Sequence, residues 1–251
     1  MRLRLIRHGD VDSTSERAFA AIAAGTAAHG DVHVATAQTR GRGRLGRSWS
    51  SPPDEGLYLS LVLLPPPPPP SPAALTIAAG LAALDAATAL GVRGARLDWP
   101  NDLVVARAKR GHEEAAKLAG VLVETRGLDP RAPHYVVGVG MNVRQRTFPP
   151  ELLAEREVAS LATLGLDATV DQALAALLES LPRRLDRVAE DELSLAAEFL
   201  RATGLFGARV RVRVGDAEHV GVLEGLSIAD GLRLGNARFP LEVVRAVSPL
   251  A

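Results

Sequence analysis

An α+β fold, a mixed β-sheet with packed helices followed by a small all-β unit, is predicted by three features of the chain. Apolar runs rich in Val and Leu between residues 31 and 143 read as strands. Helix-start signals stand among and after them, at Ser71-Pro72 and at Thr169-x-x-Gln172. Past Gly204 the pattern turns to short alternating segments separated by glycine.

Taken in chain order, VDSTSERAFAAIAAG predicts a helix capped near Ser13 or Thr14. DVHVATAQT (31–39) alternates around Val32 and Val34, as a strand does. LYLSLVLL (57–64) is a second strand, with Leu57, Leu59, Leu61 and Leu63 on one face. Prolines 65–70 form a stiff connector. Ser71 as N-cap and Pro72 at the first helical position open a helix to about Leu90, before Gly91. LDWPNDLVV (97–105) sets Asn101 and Asp102 at a turn. KLAGVLVET (117–125) and HYVVGVGMNV (134–143) suit adjacent buried strands, and the polar stretch 106–116 suits a hairpin tip facing solvent. The capping box at Thr169 predicts a helix to about Arg187, with another over about 191–202. ARVRVRV, EHVGVLEGL, GLRLG and ARFPLEVVRAV then predict a small β-barrel.

Composition excludes several classes. Lys plus Arg equals Asp plus Glu at 29 each, so the chain lacks the basic excess usual in a nucleic-acid binder. With no cysteine there is no thiol catalysis, disulfide or Cys-held metal. No apolar run is read as reaching the roughly 18 residues that span a bilayer, and MRLRLIRHGD is no signal peptide. A cytoplasmic protein without membrane or nucleic-acid partners is expected.

GRGRLGRS (41–48) carries both Gly-x-Gly-x-x-Gly and, with Arg for Lys, a near phosphate-loop pattern. Both motifs require a helix directly after the glycines. Pro52, Pro53 and Gly56 forbid one here, so the segment is a loop between two strands. Its arginines Arg40, Arg42, Arg44 and Arg47 suit either a solvated surface loop or one that orders around an anion. Trp49 suits burial under the loop or contact with a ligand. Asn101-Asp102 reads as turn chemistry or as polar ligands, Lys117 as solvated or functional, and Asn142 as a strand-end cap or a ligand contact.

In combination, DSTS (12–15), ATAQTRGRGRLGRSWSSP (35–52), LYLSL (57–61), WPNDL (99–103), KLAGVLVE (117–124) and VVGVGMNV (136–143) resemble biotin protein ligases of the type that modifies acetyl-CoA carboxylase. The resemblance covers about residues 8–165 well and the last 47 residues weakly. It implies a catalytic domain over 1–204 of the fold that biotin ligases share with class II aminoacyl-tRNA synthetases, and an SH3-like barrel over 205–251. It implies an enzyme that adenylates biotin with ATP and Mg2+ and passes biotin to a lysine of a biotin carboxyl carrier protein. No metal-ligating side chain is implied. Lys117, Arg42 and Arg44 are implied as catalytic. Ser13, Thr14, Ser15, Gln38, Arg42, Gly43, Arg44 and Lys117 are implied for biotin, and Arg47, Trp49, Asn101, Asp102 and Asn142 for ATP. The resemblance is compatible with a homodimer.

The chain departs from the family at Asp98, where Lys usually precedes WPND, at Ser15, where Asn is usual, and in the long stretch before Lys117. The ligase motif starts at residue 12, which leaves no room for the helix-turn-helix of ligases that also repress transcription, so a monofunctional type is expected. Two alternatives carry their own signals. A lipoate or octanoate ligase of the same fold would need an Arg-Arg-x-Ser-Gly-Gly-Gly run, which is missing. An RNA-binding protein using the Arg/Gly loop would need more than 4 % aromatic residues for stacking readout.

Overall fold

The structure is a computed structural model that describes residues 1–66, 69–109, 112–127, 129 and 131–250. The middle of the proline run (67, 68) and the tip of the expected hairpin (110, 111) lie outside the described residues.

The first sheet holds β1 (Arg4–Val11), β2 (Asp31–Gln38), β3 (Gly56–Leu63), β4 (Ala95–Asp98), β5 (Asp102–Lys109), β6 (His112–Glu124) and β7 (Tyr135–Asn142). Their order is β1-β2-β3-β7-β6-β5-β4. β1 and β2 are parallel and every other pair is antiparallel, which makes the sheet mixed. β3 is buried along its whole length. Its leucines 57, 59, 61 and 63 join the main core, and Val62 joins a smaller cluster with Ala18, Phe19 and Val136 under α1 (Thr14–Ala23). A strand covered on both faces thus sends its two side-chain rows into different cores.

The main core lies between the sheet, α2 (Pro72–Ala89), α4 (Val170–Glu190) and α5 (Glu192–Thr203); α3 (Pro150–Glu155) is a short turn of helix near the site. Ser71 Oγ accepts the Ala74 amide and opens α2 as expected. The capping box at α4 is complete, with Thr169 and Gln172 bonding each other's backbone amides. That helix continues through Pro182 to Glu190, three residues beyond the expected end. Arg184 binds Asp85 of α2 and Glu198 of α5, which ties the three helices together.

One expectation is corrected here. By length and composition α2 could cross a bilayer, with 18 residues of mean hydropathy 1.4. It is apolar on nearly every side because it is a central helix of the main core, and 61 % of it is buried inside the protein.

β8 (Arg209–Val214), β9 (Ala217–Ser227), β10 (Gly231–Leu234), β11 (Ala237–Phe239) and β12 (Val244–Pro249) form a second, antiparallel sheet in the order β11-β10-β9-β8-β12. Val210, Val212, Leu223, Leu232 and Val244 line its inner face. β11 and β12 are its edges, and among the described residues no pairing between them closes a barrel. The indole N–H of Trp99 reaches the Val244 carbonyl at 3.4 Å, which brings this sheet to the turn between β4 and β5.

Candidate active site

On the face of the first sheet away from α2, a cavity of about 1410 Å³ opens between the 40–51 loop, the N-terminus of α1, the β4–β5 turn, α3 and the first strand of the second sheet. Every residue that the sequence singled out for biotin, ATP or catalysis lines it. The reason is topological. β3, β7 and β6 are sheet neighbours, so positions far apart in sequence share one floor.

One end of the cavity is neutral and rich in hydrogen-bonding groups. Gln38 Oε1 accepts the Thr14 amide at 2.8 Å and the Thr14 hydroxyl at 3.1 Å, while Gln38 Nε2 donates to Ser51 Oγ at 2.9 Å. Ser60 Oγ lies 2.8 Å from Thr14 Oγ1 and 3.0 Å from Ser15 Oγ. Ser13 is the N-cap of α1 and is 2 % exposed. Ser60 was missed from sequence. Its signal was a lone hydroxyl within LYLSLVLL, out of phase with the leucines.

The floor is glycine where Trp49 lies on it. A Cβ at Gly140 would stand 2.5 Å from Trp49 Cε2, and one at Gly120 would stand 3.0 Å from Lys117 Cε and 3.2 Å from Trp49 Cζ3. Trp49 is therefore half-buried against the sheet, with its ring 5.2 Å from Lys117 Nζ.

The other end is charged. Lys117 does not begin a strand but lies within β6, next to a bulge: Leu103 pairs with Ala119 while Val104 pairs with Lys117. Such a bulge re-aims a side chain. Lys117 Nζ sits 2.6 Å from Asp102 Oδ1, and its side chain is 16 % exposed, so it is not a solvated lysine. Burial holds its pKa below the ordinary 10.5, with Asp102 pulling the other way. Arg156 binds the second oxygen of Asp102 at 2.9 Å. Asp98 faces Asp102 across the β4–β5 pair, and burial, then the Asp102 charge, raises its pKa. Arg44 donates to Asn101 Oδ1 at 3.2 Å, and Asn101 Nδ2 donates to the Val121 carbonyl at 2.6 Å.

Two residues are placed differently from expectation. Arg42 spends its charge on the protein itself, with Glu16 at 2.6 Å and Glu124 at 3.0 Å. Arg126 shares Glu16, and Arg40 has Asp12 at 3.5 Å. Arg40 and Arg42 therefore find internal carboxylates, while Arg44 is held by the Asn101 side chain. Asn142 lines the cavity but is 5 % exposed and committed. Its amide donates to the Ala159 carbonyl at 3.0 Å and its oxygen faces Gln145 Nε2 at 3.4 Å, which is the strand-end role. Arg47 is exposed at the cavity rim, and Gly43 N–H donates to the Arg47 carbonyl at 2.7 Å, which closes the loop turn. Arg156, Glu16 and Glu124 had no signal in the sequence, because only folding sets them beside Asp102 and Arg42. Arg213 and Arg245 of the second sheet also reach the cavity, which no local pattern announced.

A cavity with a neutral hydrogen-bonding end and a charged end, bordered by an Arg/Gly loop, suits a ligase that activates a carboxylic acid. Residues 9–142 match the biotin/lipoate A/B protein ligase family, and the chain belongs to it. Within that family the likeness runs to the biotin ligases. The chain is 36 % identical over 219 residues to the biotin–[acetyl-CoA-carboxylase] ligase of Mycobacterium tuberculosis, covering 84 % of this chain and 75 % of that one. It is 30 % identical over 175 residues to the bifunctional ligase/repressor BirA of Bacillus subtilis, covering 69 % of this chain but only 50 % of that protein. The biotin protein ligase of Aquifex aeolicus in complex with biotin and ATP superposes with a TM-score of 0.72 at 26 % identity, covering 98 % of this chain and 95 % of that chain.

Proposed function

We propose that the chain condenses biotin with ATP to biotinyl-5′-AMP and pyrophosphate, then transfers biotin to a lysine amine of a biotin carboxyl carrier protein. The observation that carries this reading is Lys117, a largely buried ammonium at the charged end of a cavity whose other end is a neutral hydrogen-bonding pocket. The superposition on a ligase holding biotin and ATP supports it.

In the first step a biotin carboxylate oxygen attacks the α-phosphorus, and pyrophosphate leaves. Two anions are forced together, so a cation at the junction helps most in the transition state. Lys117 Nζ supplies that charge, and Arg44 and Arg47 extend it toward the nucleotide. Ser13, Thr14, Ser15, Ser60 and Gln38 hold the ureido ring of biotin. In the second step the acceptor amine attacks the acyl carbon of the mixed anhydride, loses a proton, and AMP leaves. The chain has no cysteine, so biotin is held as the adenylate and not as a thioester. The loop over the cavity keeps water from this anhydride.

Magnesium enters with ATP as part of the substrate. Among the described residues no group of three or more His, Asp or Glu side chains could hold a metal, and Asp102 is paired with Lys117 and Arg156. The ion is carried largely by the phosphate oxygens. We assign residues 1–204 to the catalytic unit and 205–251 to a C-terminal unit that closes one side of the cavity.

The test is ATP-dependent transfer of biotin to a purified carrier domain. Labelled carrier only when biotin, ATP and the enzyme are all present supports the reading. Transfer of lipoate in preference to biotin would overturn it.

A further inference from the structure

Asp102 is held from both sides. Lys117 Nζ takes Oδ1 at 2.6 Å and the guanidinium of Arg156 takes Oδ2 at 2.9 Å. Exposure of the three side chains is low, at 16 % for Lys117, 12 % for Asp102 and 26 % for Arg156. Arg156 is also rigidly placed. It follows α3, and the segment after it runs alongside β6. There Lys117 N–H donates to the Glu157 carbonyl at 2.9 Å and Ala159 N–H to the Lys117 carbonyl at 2.9 Å. Backbone pairing with Lys117 itself therefore sets where Arg156 stands. Its Nε is buried and has no hydrogen-bond partner, so the guanidinium is held for its charge on Asp102 rather than by a full set of bonds.

Charge bookkeeping makes that second cation necessary. Asp98 lies opposite Asp102 across β4 and β5, so two carboxylates stand at this end of the cavity. If Lys117 is to meet a carboxylate and a phosphate, it must loosen from Asp102. Alone, Asp102 would then be a nearly buried carboxylate beside another carboxylate and an incoming anion, which is costly. A guanidinium on the opposite oxygen removes that cost.

We propose that Arg156 is a positioning residue for adenylation: it holds Asp102 by the oxygen that Lys117 does not use, and so frees Lys117 to move onto the reacting anions. This rests on the role given above to Lys117. The charged groups facing Lys117 are Asp102 from β5, Arg156 after α3 and Arg47 from the loop, with the Trp49 ring beside the amine. Arg156 and Arg47 both disfavour the ammonium, and Asp102 favours it. Loss of Arg156 therefore raises the pKa of Lys117 and leaves it bound more tightly to Asp102.

The test is biotin-dependent ATP–pyrophosphate exchange by wild type, Arg156→Met, Arg156→Lys and Lys117→Ala across pH. Arg156→Met keeps the apolar stem and is expected to lower kcat by about tenfold, with the KM for biotin within about twofold. The alkaline limb of its pH–rate profile is expected to move to higher pH. Arg156→Lys is expected to regain most of the rate and the wild-type limb, since it restores the charge. An Arg156→Met enzyme with wild-type kcat, or an equal loss in both variants with no shift of the limb, overturns the proposal. Lys117→Ala separates the two readings. If it exchanges as fast as wild type, the role of Lys117 itself is wrong; if it is inactive while Arg156→Met is normal, only the role of Arg156 is wrong.

Discussion

Replacing Lys117 with alanine separates activity from stability in a way the structure makes quantitative. The ammonium lies 2.6 Å from Asp102 in a site where neither side chain exceeds 16 % exposure. Breaking a fully buried pair by removing one partner costs about 3–5 kcal/mol. Here Arg156 remains on Asp102 at 2.9 Å, so the carboxylate is not left alone. The expected loss of stability is thus smaller, about 1–2 kcal/mol, or roughly 2–8 °C in Tm for a chain of this size. The loss of activity should be larger. Removing one charge-stabilising donor from a transition state costs about 2–4 kcal/mol, which is roughly a 30- to 900-fold fall in kcat. Biotin KM should change little, because the pocket of Thr14, Gln38 and Ser60 lies at the other end. Pyrophosphate exchange measured below the Tm of the variant, beside a melting curve, reads both quantities. A variant that melts lower but exchanges at the wild-type rate would show that Lys117 only braces Asp102, and the mechanism would fail.

Other outcomes follow from particular contacts. Gly140→Ala puts a Cβ 2.5 Å from the Trp49 ring, so Trp49 must leave the floor. ATP KM should rise and adenylate should leak into solution, by about 1–2 kcal/mol in each ratio, and trapping released biotinyl-AMP measures it. Burial holds His33 near a pKa of about 4 against an ordinary 6.5. The unfolded chain takes up that proton first, so stability is fully present above pH 6.5 and falls as pH drops toward 4. Melting across that range should show a slope that His33→Gln reduces; an unchanged slope would refute it. Thr169→Ala removes the side-chain half of the α4 capping box and should lower stability by about 1 kcal/mol with no change in adenylation rate.

Local chemistry made much of this legible in advance. The leucine alternation of β3, the Ser-Pro start of α2 and the Thr169 capping box act within a few residues, and each predicted its element. β1 escaped because it is a charged edge strand, largely exposed along RLIRHGDV, so no buried face imposes alternation. The short β4 gave too few residues for a pattern. At the candidate site, Lys117, Asp102, Trp49 and the loop, which line one cavity, were singled out through a motif, because glycine and arginine spacing survives as sequence. Arg156 and the Glu16–Arg42–Glu124 group were not, since those pairs join residues 54, 26 and 82 positions or more apart only through sheet order. The pairing of Arg42 with two carboxylates at the edge of the cavity is likewise a tertiary fact.

The central claim is that one cavity makes and holds a non-covalent biotinyl adenylate. The direct measurement is single-turnover incubation of the enzyme with biotin and ATP labelled at the α-phosphate, followed by rapid filtration, denaturation and addition of carrier to a parallel sample. The account predicts labelled biotinyl-AMP retained by the native enzyme, released intact on denaturation, and converted to AMP plus biotinylated carrier when carrier is added. Label that stays on the denatured chain, or an enzyme that retains no adenylate and forms none in solution, would contradict it.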